Sequence, residues 1–217
     1  MGELLNLDNP FFRGIGKLVD CIFVSLLWFL CSIPVATIGA STTALYYTVH
    51  KSIRRGQGYV SKEFFRAFKE NFKQSTVVWL IWLVLAAFLG LDAYIMWHYA
   101  ADGHAVGSLY YLFLVFLMFL VMWATYLFPY IARFENQTKV IMKNAALIAI
   151  ANIGWTLVLF LLTLVFAVIT FVVPLVLFLF TGLLIFTQSL ILEKIFRKYM
   201  TEEDLASEDE KNHEFLQ

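Results

Sequence analysis

Apolar residues run through this chain in long blocks with no charge between them. Residues 144–192 span 49 positions without one Asp, Glu, Lys or Arg, and further uncharged runs cover 21–50, 74–91 and 103–132. A bilayer's hydrocarbon core takes about 20 residues of α-helix per pass, so the longest run holds two passes with a turn near Val172, Val173 and Pro174. Spans are expected at 76–98, 108–131, 145–171 and 174–192, and an earlier one occupies 21–47. Aromatic residues gather near several span ends, among them Trp79, Trp82, Trp97, Tyr110, Tyr130 and Trp155, as an interfacial belt requires. The pattern predicts an all-α integral membrane protein, a bundle of about five transmembrane helices plus a short cytoplasmic amphipathic helix.

The first segment is less regular than the others. Asn9 and Pro10 suit a helix start, and Phe12, Ile15, Leu18, Val19 and Ile22 recur at helical spacing, with Arg13, Lys17 and Asp20 on the other face. Pro34 and Gly39 then interrupt the apolar run. Thr37, Ser41, Thr42 and Thr43 stand beside the interruption, where hydroxyls can bond backbone groups that a break sets free. Ser32, Ala36, Ala40 and Ala44 recur every four residues, a spacing that lets another helix approach closely.

Composition supports lipid as the solvent: 61% of residues are apolar and 15% charged, against roughly a quarter charged in soluble domains. With 217 residues the chain has room for a single transmembrane domain, 1–200, and an acidic tail, 201–217. The net charge of zero conceals a segregation. Basic residues crowd three connectors: Lys51, Arg54, Arg55, Lys62, Arg66, Lys69 and Lys73; then Arg133, Lys139 and Lys143; then Lys194, Arg197 and Lys198. The connectors around Asp102 and Val173 hold neither Lys nor Arg. Under the positive-inside rule the three basic connectors and the C-terminus are cytoplasmic, giving five crossings in the cell membrane with the N-terminus outside. Arg13 and Lys17 conflict with that placement. A first segment that bends at Pro34 and re-enters on the same side is the alternative that removes the conflict.

Two segments could carry function. On a helical wheel Phe64, Phe65, Phe68 and Phe72 fall in one arc, with Lys62, Arg66, Lys69 and Lys73 clustered away from them. The segment serves either as an interfacial helix, phenylalanines among the headgroups and bases near anionic lipid, or as a docking element for a partner protein, with Phe64, Phe65, Phe68, Phe72, Lys69 and Lys73 as its contacts. The broken first span is the other candidate, because interrupted helices are where transporters place polar ligands; its site would be Pro34, Thr37, Gly39, Ser41, Thr42 and Thr43. Asp20, Asp92, His98 and Glu193 all fall at or near span ends, so no ionisable side chain is expected deep in the bilayer. The chain holds no phosphate-binding glycine loop, paired zinc histidines or nucleophile motif, and Cys21 and Cys31 are too far apart on one helix to bridge. No catalytic residue, metal or cofactor is expected, and nucleic acid is not implied. After Thr201 come Glu202, Glu203, Asp204, Glu208, Asp209, Glu210 and Glu214, a run that suits a solvated, disordered tail or contact with a basic partner.

Several of these stretches together resemble the bacterial YesL family of small integral membrane proteins, a domain of unknown function. They are Asn9-Pro10-Phe11 with Arg13, Leu27-Trp28, the stretch from Ser32-Ile33-Pro34 through Gly39-Ala40-Ser41-Thr42-Thr43 to Tyr46-Tyr47, and Phe64-Phe65-Arg66-Ala67-Phe68 through Gln74. Ser25 departs from the pattern, where Asn would be expected before the Leu-Trp pair. Members of that family are typically encoded beside carbohydrate ABC importers of Gram-positive bacteria. The resemblance therefore implies an accessory membrane protein that binds the permease or its ATPase, with the aromatic cytoplasmic helix as a docking element. The rival expectation is an autonomous small-solute transporter or channel whose polar site is the broken first span.

Overall fold

The computed structural model describes residues 10–202 together with 205 and 206; Asn9 and nearly all of the acidic run after Thr201 lie outside them. Helices α1 (Pro10–Ser32), α2 (Ile38–Thr48), α3 (Val60–Ala101), α4 (Tyr110–Arg133), α5 (Thr138–Ala151), α6 (Ile153–Val172) and α7 (Leu175–Phe196) account for the fold, and no strand occurs among the described residues. Helix is the form that lets an isolated segment satisfy its own backbone in lipid. Five stretches are long and apolar enough to cross a membrane: Gly14–Ser32, Val60–Ala101, Ala105–Arg133, Ile153–Val172 and Leu175–Tyr199. The all-α membrane bundle predicted from the hydrophobic pattern is the architecture found.

Three antiparallel hairpins build it. In the first, a short 3-10 turn at Val35–Thr37 after Pro34 reverses the chain, and α2 folds back along α1. Trp28 Nε1 donates to Thr42 Oγ1 at 3.1 Å, and the Ser32 and Ser41 hydroxyls meet at 2.6 Å. In a straight helix Trp28 and Thr42 would stand about 21 Å apart, so the break is a reversal and not a kink. In the second hairpin Gly103, at φ +82°, turns α3 into α4, and Trp82 Nε1 donates to the Leu120 carbonyl at 3.0 Å. The third joins α6 to α7 through Pro174, with Gln188 Nε2 donating to Thr163 Oγ1 at 2.8 Å.

Helix α1 also runs antiparallel to α7. The Gly182 N–H donates to Ser25 Oγ at 2.7 Å, and the Phe29 and Phe178 rings meet edge-on at 4.3 Å, so rising number along α1 pairs with falling number along α7. The start of α1 therefore lies at the end of the bundle where α7 finishes beside Lys194. This corrects the expected topology, in which the chain began on the side opposite the basic connectors; the re-entrant alternative describes the first segment. Its physical cause is the Pro34 break combined with the small residues of α2. Ala40 and Ala44 are wholly buried there, and a Cβ on Gly39 would sit 2.6 Å from both the Ser75 carbonyl oxygen and Trp79 Cβ. Ser32 and Ala36 lie outside α2, so the expected four-residue stripe does not form one surface.

Two further elements differ from expectation. The amphipathic segment does not stand apart as a short helix, because no Gly or Pro separates it from the second span; both belong to the 42-residue α3. The fourth span, expected over 145–171, is divided at Asn152, whose amide donates to the Ile148 carbonyl at 3.0 Å and to the Tyr199 hydroxyl at 2.9 Å. An Asn side chain that competes for backbone partners ends α5, and α6 restarts as the crossing helix. Helix α5 lies across the basic end. Asn136 before it accepts from Gln74 Nε2 through its carbonyl at 2.7 Å, Asn144 within it donates to the Tyr130 hydroxyl at 3.0 Å, and Asn152 after it reaches Tyr199.

Candidate functional site

Polar chemistry concentrates at the basic end, where the three hairpins converge on one buried carboxylate. On α7 the inward face carries Ile185, Gln188, Ser189, Leu192 and Phe196, and Glu193 falls on that same face, 5% exposed. Its Oε1 receives the Tyr46 hydroxyl at 2.7 Å and lies 3.1 Å from both Arg133 Nε and His50 Nδ1. Tyr46 and His50 come from the first hairpin, Arg133 from the end of the second and Glu193 from the third. Tyr46 and His50 are one helical turn apart, and His50 lies in a π-helical stretch, Val49–Arg54, in which Arg54 Nη1 reaches the Ser189 carbonyl at 2.9 Å. Burying a carboxylate is tolerable only with such a set of donors, and a guanidinium among them compensates its charge.

A second acidic residue, Glu63, is 6% exposed at the start of α3. Lys51 Nζ stands 3.1 Å from its Oε2, and Arg66 pairs with the same oxygen. Arg66 Nη2 also donates to the Tyr47 hydroxyl at 2.5 Å, and the guanidinium carbon Cζ lies 5.6 Å from that ring's centroid. Gly58, at φ +81°, makes the room: a Cβ there would come within 2.9 Å of Glu63 Oε1. Between the two clusters opens a polar cleft of about 810 Å³, lined by Tyr47, Glu70, Asn71, Gln74, Arg133 and Asn136 among others. Tyr47 links it to the Glu63 cluster and Arg133 to the Glu193 cluster. The arrangement can hold a hydrogen-bonding ligand or fix the three hairpins relative to one another.

The residues singled out from sequence fare unevenly. At the first-span break the hydroxyls are spent on the protein itself. Thr37 Oγ1 lies 2.5 Å from the Cys31 carbonyl oxygen and 2.7 Å from that of Pro34; Ser41 meets Ser32; Thr42 accepts from Trp28; Thr43 and Ser75 meet at 2.9 Å. Pro34 and Gly39 shape the turn and the helix contact. These bonds hold the reversal and leave no set of hydroxyls facing a ligand. On α3, Phe64 is fully buried and Phe68 half-buried, whereas Phe65, Lys69, Phe72 and Lys73 are exposed. Phe64 is thereby removed from any docking face, because the arc that looked apolar on the wheel straddles the boundary between core and surface. Tyr46, His50, Arg133 and Glu193 were not anticipated as a group. The available signal was a carboxylate one turn past Ser189 on the inward stripe of the last helix, visible only once that stripe is identified. Among the described residues no three His, Cys, Asp or Glu side chains gather as a metal site would require.

Residues 21–93 match the family model described as "Protein of unknown function, DUF624". The match begins in α1, contains all of α2 and extends into α3, so it includes the first-span reversal, Tyr46, His50 and the Glu63 cluster, and it agrees with the resemblance to YesL, a family that contains DUF624. No curated protein and no solved structure matches the chain.

Proposed function

We propose that this protein is a non-catalytic membrane subunit whose basic end faces the cytoplasm and docks on a partner, the permease or ATPase of a carbohydrate ABC importer. One observation supports docking above all. The 42 residues of α3 make a helix of about 63 Å, roughly twice the 30 Å of hydrocarbon, so its first turns stand beyond the span as a rigid arm. A helix continuous with a crossing helix is poorly placed to lie flat among headgroups, which weighs against the interfacial reading. Phe65 and Phe72, 45% and 40% exposed, form the edge of the phenylalanine arc that the exposed Lys69 and Lys73 border. Such an edge suits an apolar groove with an acidic rim on another protein. The importer as partner rests on the family resemblance alone. Cytoplasmic placement rests on the Lys and Arg residues of all three basic connectors lying at this end, and places the C-terminus there too, in the cell membrane.

Affinity purification of the full chain from native membranes tests the proposal. A permease or ATPase should co-purify in stoichiometric amount, and the double variant F65S/F72S should insert normally yet retain at most about a tenth of the partner, as expected for two aromatic anchors. Unchanged co-purification by that variant, or solute flux in vesicles containing only this protein, would overturn it.

A further inference from the structure

A groove of about 480 Å³ lies between α3, α4 and the α5–α6 junction, lined by side chains such as Leu89, Phe119, Trp123, Ala146, Ile150 and Ile153. Its walls are apolar apart from Thr156, which is occupied by Tyr126 at 2.9 Å and by the Ala149 carbonyl at 2.7 Å. The groove follows α4 from Trp123 back to Phe116, about 10 Å along the axis, which is most of one leaflet's share of the hydrocarbon layer. At its upper end it is roofed by α5, the helix that lies across the basic end. Helical register there is informative. Lys139, Lys143, Ala146 and Ile150 fall within one narrow arc of α5, so the face that closes the groove with Ala146 and Ile150 continues, one and two turns toward the helix start, into two lysines. Both lysines are exposed.

An apolar slot one leaflet deep, with two cations in line beyond its roof, has the chemistry of an acyl chain beneath a negatively charged headgroup. We infer that this groove is a specific site for one anionic phospholipid, its chain against Leu89, Phe119 and Trp123 and its phosphate held by Lys139 and Lys143. A zwitterionic lipid fills the same slot but gains nothing from the lysines. The site stands apart from the α3 arm and does not depend on what docks there.

Native mass spectrometry of the full chain in a non-ionic detergent, titrated with phosphatidylglycerol or phosphatidylcholine, reads it directly. One phosphatidylglycerol should be retained at concentrations where phosphatidylcholine is not. Two lysines near an anionic headgroup correspond to roughly 30-fold in affinity, so K139Q/K143Q should bring phosphatidylglycerol to the level of phosphatidylcholine. Ala146→Phe, which fills the slot and leaves both lysines, should abolish retention of the single lipid. Equal retention of the two lipids by the unmodified chain overturns the inference. So does a loss on K139Q/K143Q with none on Ala146→Phe, because the lysines would then be gathering lipid at the surface without the groove.

Discussion

Replacing Glu193 with Ala is the most demanding test of the buried cluster. The change removes the carboxylate that accepts from Tyr46 and lies beside His50 and Arg133, and leaves an empty volume between them. The Arg133 side chain is 13% exposed, so its guanidinium would lose its counter-charge with little water to replace it. Breaking a buried pair from one side costs about 3–5 kcal/mol, whereas an orphaned buried hydroxyl such as Tyr46 costs about 1–3 kcal/mol. The two losses share one acceptor and are not additive, so about 4 kcal/mol is the expected total. Gln at this position keeps an acceptor for Tyr46 and nearly the same shape while losing the charge, and should fall near half that loss. Arg133→Met combined with Glu193→Leu removes both charges together and should be less destabilising than either single change, because no uncompensated ion remains. Reversible unfolding in mixed micelles by titration with SDS, followed by far-UV circular dichroism, reports these differences. A loss under about 1 kcal/mol for Glu193→Ala, or a double variant as unstable as the two singles summed, would refute the claim that this carboxylate joins the three hairpins.

Three further outcomes follow from the packing. Gly39→Ala places a methyl group 2.6 Å from the Ser75 carbonyl oxygen and Trp79 Cβ, and should destabilise the bundle by about 1–3 kcal/mol in the same unfolding assay, whereas Gly90→Ala, with nothing within 4 Å, should be neutral or stabilising by up to about 1 kcal/mol. Gly182→Ala sets its methyl 2.3 Å from the Cys21 carbonyl oxygen and disturbs the Gly182–Ser25 bond, so α1 should loosen from α7 and expose Cys21 to a thiol reagent it otherwise resists. Single cysteines at Lys17, Lys143 and Lys198 should be labelled from one side of sealed vesicles and one at His104 from the other; labelling of positions 17 and 104 from the same side would contradict the first hairpin.

What could be recognised in advance divides along a physical line. Charge-free runs of about 20 residues have one low-energy fate in lipid, so the long apolar helices were legible from composition alone. Pro34 marked a break, but Pro forbids continuation without choosing between a kink and a reversal. That choice came from Trp28, Ser32 and Ser41 meeting partners 9 to 14 residues away, together with the close approach of Gly39 to α3. Asn152 ends α5 in concert with Tyr199, a partner 47 residues further on that the local sequence does not reveal.

The Glu193 cluster was hidden for a related reason. A place at a span end implies little depth in the bilayer, but it does not set burial within the protein. In a bundle whose basic end is closed by α2, α5 and the start of α3, a residue at a span end can be as buried as one at mid-membrane, and Glu193 is. The same geometry accounts for Phe64 and Phe65. Neighbours in sequence with equal hydrophobicity, they part because α2 covers one side of the α3 arm, and hydrophobicity records that a residue can be buried, not that a partner is present to bury it. It follows that the exposed aromatics of the arm, not its most apolar arc, are the residues on which a docking partner has to act.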